Sequence, residues 1–290
     1  DSNHTMIRTF YNALWYAVAP LLRLYLRRRA RLSPAYAEHW AERFGEPYPQ
    51  PVQNALWIHA VSVGETRAAQ PLIAALQARF PDAPLLLTQS TPTGRATAQA
   101  LYPQAQCRYL PYDRADWVRR FVAEHRPRYG VLMETEIWPN LIHACTSADV
   151  PLFLANGRLS ERSQRGYTRI GALVRPALRG LRGCFAQTEA DARRLREIGA
   201  ENVQVLGNTK YDIVPPAAAQ DLAAQFRALI GQRQVWVAGS TRQHSDADET
   251  HMILQAWQQH GSPQALLIIV PRHPERFDTA VQTAQDLGLR

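Results

Sequence analysis

Between residues 55 and 206 the chain alternates seven short apolar runs with amphipathic stretches, and that alternation leaves little choice of fold. The runs lie at 55–61, 85–88, 108–110, 129–133, 152–155, 184–187 and 203–206. Helical periodicity fills 66–80, 93–101, 116–125, 139–147, 167–181 and 190–198 between them. Strands separated by helices of this length are βαβ units, and continuous apolar runs belong to strands covered on both faces. An α/β domain on a parallel sheet is expected over 32–214. Pro215 and Pro216 open a linker at 215–219, and a second series follows: helix 220–229, strand 235–238, helix 247–258, strand 265–270 and a helix from 275. Two strands are too few for an independent sheet, so the second domain, 220–290, is expected to be incomplete.

Residues 1–5 precede Met6 and read as the remnant of an expression tag, outside the fold. Residues 6–31 are rich in aromatics and end in the cluster Arg27, Arg28, Arg29 and Arg31. Their apolar part is shorter than the roughly 20 residues a spanning helix needs. It suits a membrane-anchoring helix lying at or dipping into the headgroup region, and the alternative is an ordinary amphipathic helix packed on the domain.

The formal charge of +8 points to acidic partners such as anionic headgroups or phosphorylated substrates. Nucleic acid is disfavoured, because the arginines are dispersed and no nucleic-acid module is recognisable. Cys107, Cys145 and Cys184 are far apart and read as core residues of a protein from a reducing compartment. The nine histidines show no metal-ligand spacing.

The polar chemistry gathers where strands end. Ser62-Val63-Gly64-Glu65 follows the first run, placing Glu65 at the mouth of a helix whose dipole would favour the ionised acid, a group suited to accept a proton. The plainer alternative is that Glu65 only complements that dipole. Ser90 and Thr91 follow the second run, either as helix caps or as hydroxyls facing a polyol or phosphate. Glu134, Glu136 and Trp138 follow the fourth run, two acids and an indole suited to a carbohydrate, although either acid could instead pair with an arginine. Asn208, Lys210 and Asp212 lie on the turn before the linker. Beyond it, Gly239-Ser240-Thr241 and Arg272-His273 follow the two strands of the second series, a glycine turn suited to phosphate and a cationic turn between prolines.

These stretches together resemble the 3-deoxy-D-manno-octulosonic acid (Kdo) transferase family of lipopolysaccharide synthesis. The similarity rests on Ser62–Glu65, Glu134–Asn140, Asn156-Gly157-Arg158, Gly207–Asp212, Gly239–Thr241 and Pro271–Phe277, in family order. It implies a GT-B architecture of two Rossmann-like domains facing across a cleft, behind an N-terminal membrane-associating helix. The implied reaction is inverting transfer of Kdo from CMP-Kdo to the lipid A precursor at the cytoplasmic face of the bacterial inner membrane, without a metal or other cofactor. On the resemblance Glu65 is the general base. Ser240, Thr241, Arg272, His273, Lys210 and Asn208 are donor-binding, and Ser90, Thr91, Glu134, Glu136 and Trp138 lie on the acceptor side. The family's Gly-Glu pair after the Gly-Ser-Thr turn is replaced here by Arg242–Glu249, which leaves the matching acid among Asp246, Asp248 and Glu249. Competing readings are a GT-B enzyme using a UDP-sugar and a non-catalytic protein that binds anionic glycolipid at the membrane surface.

Overall fold

In a computed structural model, which describes residues 2–289, the chain forms two compact units, Asp1–Ile213 and Val214–Arg290. Asp1, the first of the expected tag residues, and Arg290, the last of the expected second domain, lie outside the described residues. In chain order the first unit contains α1 (Ser2–Leu32), α2 (Trp40–Arg43), β1 (Leu56–His59), α3 (Val63–Ala68), α4 (Gln70–Arg79), β2 (Leu85–Gln89) and α5 (Pro92–Leu101). It continues with β3 (Gln106–Tyr109), α6 (Ala115–His125), β4 (Tyr129–Met133), α7 (Pro139–Ser147), β5 (Leu152–Gly157), α8 (Glu161–Arg169), α9 (Gly171–Leu178), β6 (Gly183–Ala186), α10 (Glu189–Glu197) and β7 (Val203–Val205).

The seven strands form one parallel sheet in the order β3-β2-β1-β4-β5-β6-β7. Several strand-to-helix turns are closed by a hydroxyl that accepts a backbone N–H of the helix's first turn. Ser62 receives Glu65, Thr91 receives Gly94, and Thr188 receives Asp191. Trp57, Leu86, Leu132 and Leu154 face one core layer with Phe121, Leu141 and Leu178. Ile58, Leu87, Val131 and Met133 face the other with Ala69, Ile73 and Ala98. The three cysteines are free and buried in these layers.

Two expected helices are each a pair. The stretch 66–80 divides into α3 and α4 because Pro71, in the first turn of α4, has no N–H to continue the ladder. The stretch 167–181 is the end of α8 followed by α9. Ser160 caps α8 well upstream of the apolar pattern, and α8 has no buried residue to generate one.

One face of α1 is packed: Ala19 and Leu26 are buried with Phe44 and Trp117. Near its start, Tyr11 donates to Asp113 at 2.9 Å and Asn12 accepts from Asn140 at 2.8 Å. The opposite side exposes Met6, Phe10, Leu14, Leu21, Leu24 and Tyr25. No helix among the described residues is long and apolar enough to cross a membrane. Behind α1, the buried carboxylate of Glu42 ties the 40–44 segment to the sheet. It receives both Arg95 and Arg108, the latter at 3.0 Å, and the Tyr109 N–H at 2.7 Å. Against the upward pull of burial, these bonds hold Glu42 below the usual carboxylate range.

The second unit contains α11 (Ala217–Ile230), β8 (Gln234–Thr241), α12 (Glu249–His260), β9 (Ala265–Pro271) and α13 (Phe277–Asp286), with β8 and β9 parallel. The break expected at 215–219 is shorter than the sequence suggests, since Pro216 already stands at the cap of α11.

Candidate active site

The strand order reverses between β1 and β4, and in open α/β sheets the crevice outside the carboxyl ends of such strands is where ligands bind. Glu65 follows β1, while Glu134 and Glu136 follow β4. The acids read separately from the sequence therefore meet at the one place the topology favours.

Glu65 sits in the first turn of α3, half-buried, folded back over the turn that carries it. Its Oε2 accepts the Val61 N–H at 2.8 Å, and its Oε1 accepts the Ser62 hydroxyl at 3.2 Å. Because Ser62 also caps the Glu65 N–H, the pair forms a reciprocal device close to a capping box. These bonds fix the carboxylate's direction and still leave acceptor capacity on both oxygens. The helix position was expected to favour the ionised form. Instead burial, reinforced by the charge of Glu134, raises the Glu65 pKa, against the opposing pull of the Val61 N–H, Ser62 and Lys210. A carboxylate of raised proton affinity is a stronger base.

Glu134 adopts left-handed backbone, φ 59°, and its N–H is held by the Ala155 carbonyl at 2.9 Å. Thr135 donates to the Arg158 carbonyl. Trp138 Nε1 donates to Glu136 Oε2 at 2.6 Å, so the indole edge positions an acid rather than standing free. Burial, with Glu65 and Glu134 close by, pushes the Glu136 carboxyl up to about 7. The cation among these acids is Lys210, whose Nζ lies 3.5 Å from Glu134 Oε1.

Lys210 reaches that position through amide contacts that the sequence did not single out. Asn156, also left-handed with φ 55°, accepts the Thr209 N–H through Oδ1 at 3.1 Å. Gln187 donates to the Asn156 carbonyl at 3.0 Å and accepts from Asn208 at 3.1 Å, while Asn208 caps the turn by accepting the Lys210 N–H. Asn208 is thus a scaffold residue of the first unit. A further neighbour, not singled out in the sequence, is His59, fully buried at the end of β1, with Nε2 3.9 Å from Glu136 Oε2. It lies inside an apolar run and reads as core. The stretch Asn156–Arg158 did stand among the sequence similarities and was the available signal for the amide contacts.

Thr91 is committed to structure. Its hydroxyl caps α5 and donates to the Val61 carbonyl at 3.1 Å, which also receives the Ser90 and Thr91 N–H groups. Ser90 and Thr91 thereby buttress the turn preceding Glu65. The Ser90 carbonyl in turn accepts Arg43 at 2.9 Å.

In the second unit, Ser240 has φ 59° at the end of β8. Thr241 is buried and its hydroxyl is taken up by Thr250 at 2.8 Å, while the neighbouring Ser240 is exposed. The Arg272 N–H is held by the Thr241 carbonyl at 2.9 Å, and the exposed His273 lies 4.0 Å from Glu275. Among the acids of the divergent segment, Asp248 caps α12 and pairs with Arg276, while Glu249 accepts the Arg242 N–H at 2.8 Å. Among the described residues no three His, Cys, Asp or Glu side chains form a group able to hold a metal ion.

Residues 38–213 match the family model described as 3-Deoxy-D-manno-octulosonic-acid transferase (kdotransferase). The chain is 40% identical over 296 aligned residues to the 3-deoxy-D-manno-octulosonic acid transferase of Bordetella pertussis, covering 98% of this chain and 68% of that protein. It is 35% identical to the enzyme of the same name from Haemophilus influenzae, over 94% of this chain and 65% of that one. Among solved structures it is similar to a UDP-GlcNAc 2-epimerase from Neisseria meningitidis, with TM-score 0.55 and 15% identity over 81% of this chain and 70% of that one. A glycosyltransferase from Rickettsia africae gives TM-score 0.50 and 11% identity, over 81% and 66% of the two chains. At these identities the structural likeness speaks to fold alone, and the fold is the GT-B type of α/β architecture.

Proposed function

The chain belongs to the 3-deoxy-D-manno-octulosonic acid (Kdo) transferase family, and from that premise we propose that it moves Kdo from CMP-Kdo onto the lipid A precursor, with inversion and without a catalytic metal. The observation that carries the reading is the meeting of Glu65, Glu134 and Glu136 with Lys210 at the switch point of the sheet.

Glu65 takes the proton from a sugar hydroxyl of the acceptor as that oxygen forms its bond to the anomeric carbon. The bond from that carbon to the phosphate oxygen breaks, and CMP departs with the electron pair. A positioned base contributes about 10²–10⁴-fold to such a step. Glu134 and Glu136 are suited to grip hydroxyls, and Lys210 offsets their charge and offers a cation to a sugar carboxylate or phosphate. In the second unit, the Gly239–Thr241 turn and Arg272 are assigned the nucleotide phosphate, through backbone N–H groups and the guanidinium.

Helix α1 is assigned to the cytoplasmic face of the inner membrane. Its exposed stripe of Met6, Phe10, Leu14, Leu21 and Leu24 recurs at helical spacing, next to the arginines of its last two turns. An acceptor whose acyl chains stay in a bilayer needs an enzyme that works at that surface.

The test is a CMP-release assay with CMP-Kdo and a tetraacylated lipid A precursor. Release of CMP coupled to a Kdo-bearing glycolipid supports the reading. Release of UDP from a UDP-sugar in its place, or glycolipid binding with no nucleotide release, overturns it.

A further inference from the structure

His59 has no place in the scheme above, yet it is completely buried and one of its nitrogens has nothing to bond. Nδ1 lies 3.1 Å from the Thr88 carbonyl oxygen and 2.9 Å from Thr88 Oγ1, which already receives Trp57 Nε1 at 2.8 Å. Bonding to the carbonyl requires the ring proton on Nδ1 and leaves a lone pair on Nε2, whereas the Thr88 hydroxyl can meet either tautomer. Nε2 is buried without a hydrogen-bond partner, and Glu136 Oε2 stands 3.9 Å away, about 1 Å beyond hydrogen-bond reach. If both groups were unprotonated, two acceptors would face each other in a buried site, which is costly.

We propose that His59 is a positioning residue for this site. When the pair closes the remaining ~1 Å, the unprotonated Nε2 accepts a hydrogen bond from the neutral carboxyl of Glu136, which makes Glu136 the uncharged member of the three-acid group and leaves Glu65 to take the proton. The inference rests on the reading of Glu65 as base. It agrees with the effect of burial on both partners, which pushes the imidazole down to about 4 and the Glu136 carboxyl up to about 7. The groups that face Glu136 are His59 from β1, Glu65 from α3, Glu134 and Trp138 from its own strand end, and Tyr167 from α8, with Lys210 joined through Glu134. An ionised Glu136 would add its charge to that of Glu134 and hold the proton on Glu65 to higher pH. A neutral Glu136 removes that burden, its one O–H being committed to His59.

Trp138 gives a direct readout, because its indole N–H is bonded to Glu136. Nitrogen-15 spectra of the whole chain, labelled at histidine and tryptophan and free of substrate, should show His59 as the Nδ1–H tautomer at pH 7–8. The Trp138 indole resonance should titrate with a midpoint near 7. Glu136→Gln should abolish that titration. His59→Phe should lower its midpoint by about half to one pH unit, the net worth of one hydrogen bond. In Kdo transfer, His59→Phe should move the acidic limb of the rate profile upward, and that shift should vanish when Glu136 is already Gln. An Nε2–H tautomer in the wild type, or an unchanged Trp138 midpoint in folded His59→Phe, overturns the proposal; should His59→Phe not fold, the wild-type tautomer decides. These spectra need neither donor nor acceptor. Expected spectra from a protein inactive with CMP-Kdo would therefore refute the proposed function and leave the His59–Glu136 pair standing.

Discussion

Lys210 Nζ lies 3.5 Å from Glu134 Oε1, joining the turn after β7 to the end of β4, which stands three positions away across the sheet. The lysine lowers and the glutamate raises the proton affinity of Glu65. Since the base must be ionised to act, Lys210→Met should move the acidic limb of the rate profile to higher pH, and Glu134→Gln should move it to lower pH. The two profiles of kcat/KM against pH check both signs. Identical limbs in wild type and both variants would disconnect these residues from Glu65.

Glu65→Gln should lower turnover by about 10²–10⁴-fold while CMP-Kdo affinity, read by calorimetry, is retained. The same change disturbs the reciprocal turn with Ser62 and should cost about 1 kcal/mol of stability in denaturant unfolding. A loss of stability without the large loss of turnover would reduce Glu65 to a helix cap.

Glu42→Ala should be the costlier change for the fold. It leaves Arg95 and Arg108 without their buried partner and the Tyr109 N–H without its acceptor. Breaking a buried ion pair on one side costs about 3–5 kcal/mol, measurable as a lowered midpoint in urea. A shift smaller than 1 kcal/mol would mean that water reaches these arginines.

Replacing Phe10, Leu14, Leu21 and Leu24 with Ser should cut co-sedimentation with anionic vesicles severalfold while leaving the melting temperature nearly unchanged. These side chains are exposed, and the packed face of α1 lies on Ala19 and Leu26. Equal vesicle binding by wild type and variant would move membrane attachment away from this stripe.

The α/β sheet was legible because its punctuation is local. Strand β4 and helix α7 fall on the residues expected of them, bounded by Pro127 and by the Trp138-Pro139 step. Helix α8 was hidden because most of its side chains face water and carry no apolar period. Glu65, Glu134 and Glu136 were readable as acids at strand ends, since position along the chain already places them on one rim. Their electrostatics were not readable. Whether Glu65 follows the helix dipole or its own burial depends on what packs above it, and the charge of Glu134 arrives from another strand. His59 stayed invisible for the opposite reason: in a run of buried residues, a histidine looks like one more part of the core.

Glu134, just past β4, and Asn156, next to last in the adjacent β5, adopt left-handed backbone, a region where side chains other than glycine pay about 1–3 kcal/mol. At position 134 a glycine would relax the chain and make the strand end easier to form, but it would delete the acid that Lys210 holds. Drift toward a sturdier protein and retention of a working rim thus pull in opposite directions at this residue. Thermally hardened descendants of this chain should gain their robustness elsewhere, and a selection for heat tolerance alone should find Glu134→Gly early and lose the rim with it.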